Sequence, residues 1–261
     1  MKTRYIAALA ALLVALVPGV AGAQQADAVV YVVHGIPGVE VDVTAGGDVI
    51  IPGFTYGTIE RLELPAGTYP IGVQLTDGTS VYPEADVTVA AGVVYVAVAH
   101  LGEDGAPAAG LFVAGVNTST VAAGEARLTA YHLAAAPAVD ILTGDTKLFE
   151  GVPNGGSGDL DVPAGTYPVA IAAAADNSVV VFEGDVPLAE GANTLVFAVG
   201  ALDDDSFQPL VQVVSGLGET PTGVPSGDGP LAALDLTIAT LALMVGLGAL
   251  GAGRVLARRG A

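Results

Sequence analysis

The chain has 261 residues, enough for two ordinary domains, and carries 27 acidic against 8 basic side chains, with only Arg61, Arg127 and Lys147 among the bases away from its two ends. A body so acidic repels phosphate, which excludes nucleic acid as a partner and anionic lipid as a surface for the body to dock on. With no cysteine, disulfides, thiolate chemistry, cysteine metal sites and lipidated-cysteine anchors are excluded as well, and core burial alone must hold each domain.

Residues 1–23 read as a secretory signal peptide. Lys2 and Arg4 give the basic start, Tyr5 to Val17 the apolar stretch, and Ala21-Gly22-Ala23 the small residues a signal peptidase accepts. Cleavage is expected before Gln24. Short segments rich in Val, Ile and Tyr then follow in order: Val29 to His34, Val39 to Thr44, Asp48 to Phe54, Thr58 to Leu64, Thr68 to Leu75, Val93 to His100 and Leu111 to Val116. Gly, Pro and Asp separate them, which is the pattern of strands joined by tight turns. In LELPAGTYPIGV, from Leu62, Pro65 fits position i+1 of a type I turn and Gly67 the left-handed residue of a bulged hairpin. Beyond it Tyr69, Ile71, Val73 and Leu75 alternate onto one face, opposite Leu62 and Leu64, so Tyr69 belongs to the core rather than to a ligand platform.

The same segment returns as LDVPAGTYPVAI from Leu160, displaced by 98 residues. That displacement also sets His34 on His132, Val41 on Val139, Asp42 on Asp140 and Gly53 on Gly151. A register held without gaps over such a distance marks one unit present twice. The second copy therefore repeats the strand order from Ala126 to about Val214. The expected fold class is all-β, with two tandem antiparallel β-sandwiches of the Ig-like or prealbumin-like kind over residues 24–120 and 121–215, followed by one C-terminal transmembrane helix.

The paired segments VVHGIPGVEVDV, from Val32, and AYHLAAAPAVDIL, from Ala130, resemble the bacterial domain of unknown function 4397. Repeats of that family begin with a strand, a His, a Pro-containing loop and a Val-Asp-Val-type strand, and their later hairpin is similar to the PAGTY segments. The resemblance covers Ala28 to Val214. Copy one reaches its proline sooner, at Pro37, than copy two does, at Pro137, while the His-to-Asp spacing is eight in both. The resemblance implies an exported sandwich-like module and supplies no catalytic residue.

The residues with most chemical capacity are His34 with Asp42 and, in the second copy, His132 with Asp140. A hairpin would bring each imidazole to its carboxylate, which would fix the ring tautomer. The expected role is a structural hydrogen bond, with ligand contact as the functional alternative. No Ser recurs between the copies, no Gly-x-Ser-x-Gly elbow is present, and zinc would need a further strong ligand, so no catalytic residue, metal site or cofactor is assigned. Glu103-Asp104 and Asp203-Asp204-Asp205 follow the late strands of the two copies. They lack EF-hand spacing and read as solvated charge rather than a Ca²⁺ loop.

Residues 216–230, rich in Gly, Pro, Ser and Thr, read as a flexible stalk. Leu231 to Gly253 carries one charge, Asp235, and as a helix spans roughly 34 Å, enough for a hydrocarbon core of about 30 Å. Arg254, Arg258 and Arg259, within residues 254–261, form a basic tail expected to stay in the cytoplasm with the ectodomain outside. Glu219 to Gly223 lacks the Leu-Pro start of a sortase motif, which favours a retained anchor. Gly248 with Ala252, and Ala249 with Gly253, give small-residue spacings that would permit weak lateral self-association. The chain as a whole reads as a single-pass protein of the cell membrane presenting a non-catalytic interaction or adhesion module. Its expected partners are an envelope polymer, a carbohydrate or a protein; the alternatives are a structural spacer and an extracellular hydrolase using the His/Asp pairs.

Overall fold

The computed structural model describes residues 26–218; the expected signal peptide, membrane helix and basic tail, and most of the stalk, lie outside the described residues. Among the described residues every regular element is a strand, and no helix is long and apolar enough to cross a membrane. Copy one forms β1 (Ala28–His34), β2 (Glu40–Ala45), β3 (Asp48–Thr55), β4 (Ile59–Leu64), β5 (Gly67–Leu75), β6 (Ser80–Val89), β7 (Val94–Ala99) and β8 (Phe112–Gly115). Copy two forms β9 (Glu125–His132), β10 (Val139–Thr143), β11 (Thr146–Val152), β12 (Gly156–Pro163), β13 (Gly165–Ala173), β14 (Asp176–Leu188), β15 (Ala192–Val199) and β16 (Gln208–Ser215).

Each copy builds two four-stranded sheets in the same order. An inner sheet runs β4-β1-β7-β8 in copy one and β12-β9-β15-β16 in copy two; an outer sheet runs β3-β2-β5-β6 and β11-β10-β13-β14. The pairings are antiparallel except for β1 with β7 and β9 with β15, which are parallel. The purely antiparallel expectation is corrected there, and the connection explains it. β6 lies in the outer sheet and β7 in the inner one, so the chain crosses between layers and re-enters beside the start of β1. Val29 N–H donates to Val93 O at 3.1 Å, and Gly92 N–H to Ala26 O at 2.8 Å. A strand entering at that end runs with β1 rather than against it.

The PAGTY segment is likewise a corner and not a hairpin, because β4 belongs to the inner sheet and β5 to the outer. Gly67 is absent from the glycines with positive φ. A Cβ at Gly67 would stand 3.4 Å from the ring of Tyr69, an ordinary contact, so neither backbone nor space requires glycine there. Tyr69 folds back so that its hydroxyl donates to Pro65 O at 2.8 Å, and Tyr167 repeats the bond to Pro163 O at 2.7 Å. Leu62, Leu64 and Tyr69 do meet across the two layers, packed against Val30 and Val89. Ser80–Val89, which carries no expected strand, forms β6. Pro83, Glu84 and Asp86 interrupt its alternation, and all three are tolerated because β6 is an edge strand with one side unpaired.

Three apolar layers separate the four sheets. Within copy one, Val41, Val43, Phe54 and Val73 pack against Ile36, Ala99 and Leu101. Within copy two, Leu128 and Ala130 pack against Ile141, Ile171 and Val186. The third layer lies between the inner sheets: Tyr31, Val33, Val96 and Val98 of copy one face Tyr131, Leu195, Phe197 and Val199 of copy two. The central strands of the inner sheets, β1, β7, β9 and β15, are therefore buried on both faces, and each large side chain so buried contributes roughly 1.5–3 kcal/mol. Phe112 crosses the joint to meet the edge of Tyr131 at 5.6 Å, and Tyr131 stacks on Phe197 at 4.8 Å. Backbones touch at one end of the joint, where Gly200 N–H donates to Gly35 O at 3.3 Å. A Cβ on Gly35 would stand 2.9 Å from the Val199 side chain, so this approach requires glycine.

Candidate functional site

His34 ends β1 and His132 ends β9, so each ring stands where an inner strand enters the loop leading to an outer one. Nε2 of His34 lies 3.1 Å from Val39 O, and Nε2 of His132 lies 3.0 Å from Pro137 O, five residues along in both copies. Ile36 N–H donates to His34 Nδ1 at 3.3 Å, which places the ring proton on Nε2. The repeated histidine thus ties together the loop that follows it.

The expected imidazole–carboxylate pair is not formed in either copy. Asp42 Oδ1 instead accepts the N–H of Gly53 at 2.9 Å, and Asp140 Oδ1 that of Gly151 at 2.7 Å. Strand alternation is the reason. Val41 and Val43 face the core, as do Val139 and Ile141, so the aspartate between them points to the opposite face. There β3 and β11 slip register against their partners. Gly53 and Gly151 take φ of 59° and 62°, conformations that favour glycine. The carboxylate satisfies the N–H that the bulge withdraws from the ladder.

The two aspartates then diverge. Asp140 is fully buried and also binds Asn177 Nδ2 at 2.8 Å and Lys147 Nζ at 2.6 Å. Lys147 first, then Asn177 and the Gly151 N–H, hold its carboxyl down at about 2. The positions corresponding to Lys147 and Asn177 in copy one are Val49 and Gly78, so the network has no counterpart there.

Sequence reasoning missed the third histidine, His100, because it does not recur: Ala99 and Ala198 hold equivalent places beside His34 and His132, so its counterpart in copy two is Val199. A His closing the apolar run of β7 was the available signal. Its Nδ1 lies 2.8 Å from Leu101 O, and the charge of His132 acts on it. Burial lowers the proton affinity of all three rings. Carbonyl contacts oppose this at each, and the charge of Glu103 also opposes it at His132. Since the folded-state values lie below the ordinary imidazole value, the unfolded chain takes up protons first as pH falls. Stability is therefore expected to be level above about pH 6.5 and to decline below it, before carboxylates titrate. Denaturant unfolding between pH 8 and 5 checks this, and a flat profile down to pH 5.5 would contradict it.

The cavity inside copy one, about 40 Å³ and lined only by apolar side chains such as Val43, Phe54 and Ile71, has no polar group to orient a substrate. The more accessible feature is an open groove of about 570 Å³ where the loops after β1, β7, β9 and β15 meet. Glu103 and Asp104 from copy one and Asp203 and Asp204 from copy two line it. The two acidic loops share one turn: Asp104 Oδ1 accepts Ala106 N–H at 3.1 Å, and Asp204 Oδ1 accepts Ser206 N–H at 3.0 Å. Sequence reading placed these loops in similar positions of separate copies; the docking of the inner sheets brings them to one groove. Among the described residues no group of three or more His, Cys, Asp or Glu side chains is placed to hold a metal ion.

The family model of DUF4397, a domain of unknown function, matches the chain over residues 28–142 and 133–221. No curated protein matches the chain in sequence.

Proposed function

For a chain that belongs to the DUF4397 family and carries two regions matching it, we propose a non-catalytic interaction function at the outer surface of a cell. Residues 1–23 direct export, Leu231 to Gly253 crosses the membrane once as a helix, and residues 254–261 remain in the cytoplasm. Two sandwiches of the Ig-like or prealbumin-like kind stand outside on the stalk. One observation carries the interaction reading. The repeated His and Asp side chains are engaged in internal bonds that shape loops and bulges, whereas loops from both copies open one shared groove. Groups held in this way support folding rather than turnover. An envelope polymer, a carbohydrate or a protein is the ligand class.

The test is a binding screen of the full-length chain in mild detergent against glycans, envelope polymers and surface proteins. Saturable binding without turnover is the expected result. Hydrolysis of an ester, peptide or glycoside that disappears on replacing His132 would move the protein to an enzyme class. A spacer role is the second reading, favoured by the apolar layer that fixes one copy against the other. A screen without any saturable ligand would select it.

A further inference from the structure

We propose that Asn117 carries an N-linked glycan on its Nδ2, added at the outer face of the membrane. This rests on the export reading and adds a covalent modification to the exported chain. Asn117-Thr118-Ser119 places a hydroxyl two residues after an asparagine with no proline between, the acceptor pattern of N-glycosylation. The chain has three other asparagines, Asn154, Asn177 and Asn193, and none has Ser or Thr two residues on.

The fold presents this motif in a form that a glycan can occupy. Residues 117–120 are all exposed, in the segment that joins β8 to β9. Ser119 N–H and Oγ–H both donate to Asn117 Oδ1, at 3.2 and 2.7 Å, so amide and hydroxyl meet in one local turn. Nδ2 donates to Asp159 Oδ2 at 2.9 Å, and that aspartate side chain is 45% exposed. A primary amide has two N–H bonds and transfer consumes one, so the turn can keep its bond to Asp159. The backbone is held from the buried side. Arg127 Nη1 donates to Asn117 O at 3.2 Å and Ser119 O at 3.0 Å, and Asn193 Nδ2 donates to Asn117 O at 3.1 Å. Nearby, Val121 N–H donates to Leu217 O at 3.1 Å, at the end of copy two. The groove loops follow the opposite ends of the inner strands, so a glycan on Asn117 leaves the groove open.

The donor class is an oligosaccharide linked to a polyprenyl pyrophosphate. The bond from its anomeric carbon to the phosphate oxygen breaks, and the electron pair leaves with the lipid pyrophosphate. A bond from that carbon to Nδ2 forms, and the amide proton passes to a carboxylate of the transferase.

Mass spectrometry of the full-length chain, isolated from the envelope of the cells that naturally make it, tests the assignment. Cleavage after glutamate releases Asp104 to Glu125 as one peptide, which is expected to carry added sugar mass on Asn117. Ser119→Ala should lose that mass and Ser119→Thr should retain it. Both should unfold near the wild-type midpoint, because Arg127 keeps Asp161 and the two carbonyls. A bare Asn117 in the exported chain, added mass on Thr118 or Thr120 instead, or a glycan that survives Ser119→Ala would each overturn the proposal. A chain that keeps residues 1–23 and stays inside the cell would remove the export reading, and the glycan with it.

Discussion

Replacing Phe197 by alanine is expected to lower the stability of the molecule by about 3–5 kcal/mol and to uncouple its two copies. Phe197 is completely buried at the centre of the layer between the inner sheets, stacked on Tyr131, which in turn meets Phe112 of the other copy. Leu195, Val199, Val96 and Val98 surround this aromatic cluster with branched side chains already packed on both faces of their sheets. They cannot all collapse into the space left behind, so the cavity persists and its full penalty is felt. Equilibrium denaturant unfolding of the full-length chain should show one transition for the wild type and two for Phe197→Ala. The copy-one transition should shift even though the substitution lies in copy two. A loss under about 1 kcal/mol with a single transition retained would mean that the layer does not couple the copies.

That layer was present in the sequence but not readable as a layer. β1 reads AVVYVV before His34 and β15 reads LVFAV after Asn193 and Thr194, apolar runs instead of the alternation that a half-solvated sheet shows. Periodicity reveals that both faces of such a strand are buried; it does not say against what. The second copy offered a large apolar partner, so the inference could have been drawn from the runs together with the repeat. The outer strands were legible for the opposite reason: in β5, Tyr69, Ile71 and Val73 alternate as a one-sided sheet requires. The corner at PAGTY and the parallel β1–β7 pair were hidden because turn chemistry reports local backbone and not which sheet the next strand joins.

The repeated polar residues followed the same logic. Identity at His34 and His132, and at Asp42 and Asp140, marked positions of importance, and the even His-to-Asp spacing suggested a pair. The spacing counts residues along a path that leaves one sheet and enters another, so it does not measure a distance in space. Gly53 and Gly151, which share the same displacement, were the truer partners of the aspartates, since a glycine at a bulge leaves an N–H in need of an acceptor. The acidic loops at the groove were visible only as charge. Their convergence depends on how the inner sheets dock.

The two aspartates supply an internally controlled experiment. Asp140→Ala is expected to cost about 3 kcal/mol, because it removes a fully buried carboxylate that holds Lys147, the Gly151 N–H and the Asn177 amide together. Lys147 is 35% exposed and retains Glu150 at 3.0 Å, which keeps the loss at the lower end for a broken buried pair. Asp42→Ala removes the corresponding bulge bond where water can replace it, for about 1 kcal/mol. Asp140→Asn, which keeps an oxygen for Gly151 but no charge for Lys147, should fall between them. The pH dependence separates the charge from the hydrogen bonds. Because the folded-state value of Asp140 is depressed to about 2, its contribution is complete above the ordinary carboxylate range and is lost as pH falls through that value. The stability gap between wild type and Asp140→Ala should therefore be constant at neutral pH and narrow between about pH 4 and pH 2. Equal losses for the alanine variants of Asp42 and Asp140, or a gap unchanged across that acid range, would show that the Lys147 network holds nothing that the bulge bond does not.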